Sequence, residues 1–214
     1  MKFAALICII IFAVLYISFK KTIYTYHNHD LVLIHPFFPK HHFNEIATYC
    51  KKLDSKLQPD ERLPSRTTYV CDSKRDYALY HMVYSTYLFK QLKQIIGENM
   101  IIASEFPIEY RKYALGSSGM EWHQDKALYD QPYYECVLTL GNTSDSLFEY
   151  NVDDEINSVS THPNSLVLVK PSTIYHRVTK VTQGERTIIK FICLLNEKNE
   201  KSSEYASELP SETK

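Results

Sequence analysis

Trp122-His123-Gln124-Asp125, followed far downstream by Tyr175-His176-Arg177 and Gly184-Glu185-Arg186, is the stretch on which the reading of this chain turns. In a β-strand, residues i and i+2 point to the same side. His123 and Asp125 would therefore project together, with Gln124 facing away. A second histidine from a facing strand, His176, would complete a triangle on one side of a metal ion. Arg186 then opens the next strand, across a turn at Gly184.

Two histidines and one carboxylate with open positions form the facial arrangement of non-haem Fe(II) oxygenases. Zinc hydrolases more often use three histidines, or two histidines and a glutamate on a helix. A His-x-Asp pair is weak in a chain with nine histidines. Order and context strengthen it, because both elements fall in a β-rich half and His176 follows a Pro171-Ser172 turn. Arg186 precedes the apolar run Thr187 to Ile192. Alone it reads as a solvated strand-end charge paired with Glu185. In this company it reads as a guanidinium fork for a carboxylate.

The flanking sequence supports this order. Phe106 to Leu115, Tyr133 to Leu140, Leu147 to Val152, Ser165 to Lys170, His176 to Val181 and Arg186 to Leu195 are short, β-rich segments separated by turn residues. Upstream, His41 to Leu57 places Phe43, Ile46, Cys50 and Leu53 on one helical face. Asp76 to Ile96 shows the same spacing, with Gly97 as its stop. Many short strands after two helices predict a mainly β domain with flanking helices (α+β), a β-sandwich or jelly roll. The expected organisation is an anchor at 1–21, a linker at 22–40, a catalytic domain at 41–195 and a disordered tail at 196–214. Within the domain, 41–98 supplies helical support and 101–195 the jelly-roll core.

At 214 residues the chain suffices for one domain with appendages. A net charge of -1 gives no global field toward nucleic acid, and no such partner is expected. Phe3 to Phe19 is apolar apart from Tyr16 and Ser18. As a helix it would span roughly 26 Å at about 1.5 Å per residue, close to a hydrocarbon core of ~30 Å. Bulky residues stand where a cleaved signal would carry small ones. The expectation is an uncleaved transmembrane helix in the endoplasmic reticulum or a related endomembrane. Flanking charges nearly tie on orientation. Asn142-Thr143-Ser144 is a glycosylation sequon, usable only in a lumen. Among the five cysteines, Cys136 and Cys193 read as core residues, and Cys50 and Cys71 could pair in an oxidising compartment.

The stretch from Tyr110 to Leu195 resembles the Fe(II)/2-oxoglutarate-dependent dioxygenases, and within them the prolyl 4-hydroxylase-like group. Tyr113-Ala114-Leu115-Gly116 is similar to the family's Tyr-x-x-Gly lead-in. Pro163 to Leu168 is similar to its Pro-x-x-Gly-x-Ala-Leu-x-Phe strand. His176 to Arg186 resembles His-x-Val-x-Pro-Val-x-x-Gly-x-Arg. The resemblance implies a double-stranded β-helix, with His123, Asp125 and His176 binding Fe(II). It implies Arg186 on the distal carboxylate of 2-oxoglutarate, with Tyr113 assisting or lining the pocket. It implies O2 as oxidant, ascorbate as reductant, and release of succinate and carbon dioxide. The family's Gly-Gly-x-Thr turn is absent, with Ser144 to Phe148 in that region, and Lys180 replaces a proline. These departures touch the substrate loop. A peptide or protein substrate is expected, hydroxylated on proline or, next, on lysine. A lipid or small-molecule hydroxylase and a non-catalytic jelly-roll binding module stay open as alternatives.

Overall fold

A computed structural model describes residues 21–196, apart from 62 and 104. The chain runs β1 (Thr22–Tyr26), β2 (Leu31–His35), α1 (Lys40–Lys51), a 3-10 turn at Asp54–Lys56, β3 (Gln58–Asp60) and β4 (Leu63–Val70). It continues through α2 (Tyr77–Val83), α3 (Thr86–Ile96), β5 (Met100–Ile102), β6 (Glu109–Tyr113), β7 (Met120–His123) and β8 (Tyr133–Asn142). The last elements are β9 (Phe148–Val152), β10 (Glu155–Val159), β11 (Leu166–Val169), β12 (His176–Val178) and β13 (Arg186–Leu195).

Two sheets face each other. The larger follows the order β1-β2-β11-β8-β13-β6-β4-β3, with β5 added on β13. The smaller is β10-β9-β12-β7. All pairings among these strands are antiparallel. This is the expected jelly roll braced by helices.

Alternation along β13 decides what lies on each side of the large sheet. Ile189, Phe191 and Cys193 face the helices and join Leu79, Leu88 and Leu92 in the main core. Arg186, Ile188 and Lys190 face the small sheet and line a pocket between the sheets. A strand buried on both faces normally reads as continuously apolar. Charges at two of the three inward positions therefore mark the pocket.

Local departures from expectation have physical causes. The helix expected over Asp76 to Ile96 is two helices. Ser85 caps the second, its Oγ accepting from Leu88 N at 3.4 Å, and Gly97 ends it at φ +86. A serine cap competes with helix continuation because it satisfies an otherwise unpaired N–H. The helix expected over His41 to Leu57 stops at Lys51 and tightens into the 3-10 turn. The span from 22 to 35, read from its prolines as linker, is a hairpin. β1 pairs with β2, and β2 joins the large sheet on β11. Both prolines lie beyond β2, at 36 and 39, so they never interrupt the ladder.

The membrane expectation is corrected. Among the described residues no helix is long and apolar enough to cross a membrane. The run from 3 to 19, on which the anchor and the endomembrane localisation rested, lies outside the described residues, as does the tail from 197 onward. Cys50 and Cys71 are buried free thiols, not a disulfide. Asn142 is part of β8, and its Nδ2 donates to Thr161 O at 3.0 Å, so the sequon amide is already engaged.

Candidate metal centre

His123, Asp125 and His176 each offer one ligand atom, all within 4.8 Å of one another. His123 and His176 are Cα partners across β7 and β12. Asp125 Oδ1 lies 3.7 Å from His123 Nε2, and Asp125 Oδ2 lies 3.4 Å from His176 Nε2. Cis ligands about 2.1 Å from a shared ion sit roughly 3 Å apart, so small side-chain rotations close this set on one metal.

Backbone carbonyls orient both rings. His123 Nδ1 lies 2.7 Å from Glu121 O, and His176 Nδ1 lies 3.0 Å from Ile174 O. An Nδ1–H donated to a carbonyl leaves the Nε2 lone pair for a metal, the usual outer-shell arrangement of ligating histidines. His123 Nε2 is buried with no hydrogen-bond partner. The donor set and that free nitrogen fit a divalent ion.

Asp125 corrects one detail. It stands two residues past the end of β7, not inside a strand. Its backbone is held instead by the turn before His176: Ser172 N donates to Asp125 O at 2.9 Å, and Ser172 Oγ donates to it at 3.3 Å. Ser172 adopts φ +60 to do so. The Pro171-Ser172 turn thus aligns two ligands at once.

The electrostatics agree with this arrangement. Burial would raise the Asp125 carboxyl, but His123, Lys190 and His176 outweigh it and hold the group well below the usual carboxylate range. Asp125 raises His123, whereas burial lowers His176 despite the same carboxylate. Burial raises Glu135, with Lys190 opposing and Asp125 adding to the rise.

Deeper in the pocket, Arg186 pairs in register with Tyr113 of β6, and Ile188 pairs with Arg111. Arg186 is 4% exposed, and its Nε has no hydrogen-bond partner. Burial lowers its pKa, with Tyr113 opposing. The other nearby cations are matched: Arg66 with Asp60 at 2.6 Å, Arg111 with Glu109, and Lys190 with Glu135. Arg66 Nη1 also donates to Tyr113 Oη at 3.4 Å. Burial would raise the Tyr113 phenol, but Arg111, Arg66 and Arg186 overcome it and lower it.

All five expected site residues therefore line one pocket. Arg111, Glu135 and Lys190 line it too and were not foreseen. Their signal was present as charges at inward positions of otherwise apolar strands. Phe148 also lines the pocket and lies 5.7 Å from the His176 ring between centroids. Tyr150 donates to the Tyr26 hydroxyl at 2.8 Å and packs with Phe148 in the same buried cluster.

No protein-family model and no curated protein matches the chain by sequence. Solved structures do match. A 2OG-Fe(II) oxygenase family oxidoreductase from Burkholderia pseudomallei superposes with a TM-score of 0.63 at 13% identity, covering 79% of this chain and 85% of that one. A prolyl hydroxylase from Trichoplax adhaerens, solved with a hypoxia inducible factor peptide fragment, gives 0.59 at 14% identity over 78% and 84%. HygX from Streptomyces hygroscopicus, with nickel, 2-oxoglutarate and hygromycin B bound, gives 0.58 at 12% identity over 77% and 82%. The fold of this chain is that of the 2-oxoglutarate–Fe(II) oxygenases, prolyl hydroxylases among them, and a His-Asp-His triad is present in it.

Proposed function

We propose that this protein is an Fe(II)- and 2-oxoglutarate-dependent dioxygenase that hydroxylates a peptidyl residue, proline first and lysine second. The observation that carries the reading is Arg186, a buried guanidinium without a carboxylate partner among the described residues, in the same pocket as the His-Asp-His cluster. Leaving a charge unpaired in a dry site is costly. A carboxylate ligand removes that cost.

Formal charge supports a keto diacid. Arg66, Arg111 and Lys190 are neutralised by Asp60, Glu109 and Glu135. Asp125 and Arg186 remain and cancel. A divalent metal ion then calls for a dianion, and 2-oxoglutarate is one. Its distal carboxylate would lie on Arg186, with Tyr113 beside it, and its keto-acid end would reach the metal.

Residue roles follow from these positions. His123, Asp125 and His176 would hold Fe(II), which when bound supplies O2 activation coupled to decarboxylation of the co-substrate. The outer-shell carbonyls of Glu121 and Ile174 fix ring orientation. Val137, Val167, Val169, Phe148 and Ile188 wall the pocket and keep water from the reacting groups. A peptide substrate is favoured by likeness to the prolyl hydroxylase solved with one. HygX, solved with hygromycin B, keeps a small-molecule substrate as the second reading.

The test is 2-oxoglutarate turnover. The full chain with Fe(II), ascorbate and O2 should release succinate slowly without substrate, and faster with the correct peptide. A chelator should abolish both. Iron bound by the protein with no succinate released under any peptide would reject the dioxygenase reading.

A further inference from the structure

Two guanidiniums, not one, close the floor of the pocket. Arg111 is 5% exposed and, like Arg186, has a buried Nε with no hydrogen-bond partner. The two lie diagonally on adjacent strands, since Arg186 pairs with Tyr113 and Ile188 pairs with Arg111. All four side chains line the same pocket. Diagonal neighbours of this kind are within reach when side chains are long.

We propose that Arg111 is a second guanidinium contact for the distal carboxylate of the co-substrate, and that the pair makes the pocket selective for keto diacids over keto monoacids. This rests on the dioxygenase reading above. Glu109 engages Arg111 through Nη2, two residues away on the same strand face. That contact takes Nη2 and leaves the Nε–H without a partner. An arginine present only to neutralise Glu109 gains nothing from a dry, unpaired N–H, which carries the full desolvation cost. An anion between Arg111 and Arg186 satisfies both Nε donors with charge-assisted hydrogen bonds. The Tyr113 phenol stands beside them and is pulled below its usual range by both, together with Arg66. Apolar Val137 and Ile188 exclude water there and strengthen each contact.

Arg111→Lys separates the two roles. Lysine keeps the charge and the ion pair with Glu109 but lacks the Nε donor. The double variant Arg111→Leu with Glu109→Leu removes both members of the ion pair together. Each full-length protein is loaded with Ni(II) and titrated calorimetrically with 2-oxoglutarate and with 2-oxobutyrate, which has the keto-acid end but no distal carboxylate. Both variants should unfold near the wild-type midpoint, bind 2-oxoglutarate at least tenfold more weakly, and bind 2-oxobutyrate as wild type does. Equal losses for the two acids, or 2-oxoglutarate binding within twofold of wild type, would overturn the proposal. Should Arg186→Leu lose 2-oxoglutarate while the Arg111 variants do not, only this inference falls. Should wild type bind neither acid, the dioxygenase reading falls with it.

Discussion

His123 and His176 face each other across β7 and β12, with imidazole centroids 4.4 Å apart and both Nδ1 atoms turned to backbone carbonyls. Strand register brings the two rings together, and a shared ion is the proposed use of that pose. His176→Ala and Asp125→Ala should each weaken Ni(II) or Co(II) binding more than the roughly 10–100-fold typical of outer-shell changes. The backbone ladder of the small sheet stays intact in both. Metal titration followed by calorimetry checks this, and either variant binding as tightly as wild type would refute the ligand set.

Arg186 should show opposite effects on binding and on stability. A charge-assisted hydrogen bond contributes about 1.5–3 kcal/mol, so Arg186→Leu should lose roughly 10–150-fold in 2-oxoglutarate affinity. The same change removes a buried charge with no carboxylate partner among the described residues. Apolar replacement of such a group is often neutral or stabilising. Ligand-free unfolding of the variant should therefore occur at or above the wild-type denaturant midpoint. A large stability loss would mean that Arg186 braces the fold instead of awaiting a ligand.

Gly119 guards the approach to β7. It adopts φ +75, and a Cβ there would sit 2.2 Å from Val178 O, a backbone atom that cannot swing away. The left-handed conformation alone costs a non-glycine residue roughly 1–2 kcal/mol, before the clash is counted. Gly119→Ala should cost more than 2 kcal/mol in urea unfolding. Metal affinity should fall with it, because Val178 and His176 share the three-residue strand β12. An unchanged midpoint would show that the β7–β12 seam tolerates displacement.

Much of the site was legible because its chemistry follows strand periodicity and chain order. His123, Asp125, His176 and Arg186 sit at spacings that a β-rich reading brings together, and the pocket contains all four. Other features depended on context that spacing does not carry. Asp125 reaches the cluster through a Ser172 turn at positive φ, a tertiary contact across 47 positions. β4 was missed because its sequence, Leu-Pro-Ser-Arg-Thr-Thr-Tyr-Val, lacks apolar alternation; its inward Arg66 is satisfied by Asp60 and faces Tyr113. Glu135, Arg111 and Lys190 look like surface charges until the second sheet covers them.

Alkaline stability should report the buried thiols. Burial pushes Cys71 up from 9.0 to about 12, and Cys50 rises too, chiefly through burial and then through Cys71 itself. A raised folded value means that the folded state keeps its proton after the unfolded chain has released it. Stability is therefore complete below about pH 9 and declines as pH rises from there toward the folded value, by about 1.4 kcal/mol per pH unit for each such group. Cys71→Ala removes one of these groups. The stability gap between wild type and variant, measured by urea unfolding, should narrow by about 1.4 kcal/mol between pH 8 and pH 10. Because all four are buried free thiols, Cys50, Cys71, Cys136 and Cys193 should also resist alkylation in the native protein at neutral pH and label fully in denaturant. A Cys50–Cys71 disulfide would break both expectations: the pH slope would be missing, and two thiols would stay unlabelled in denaturant until a reductant was added.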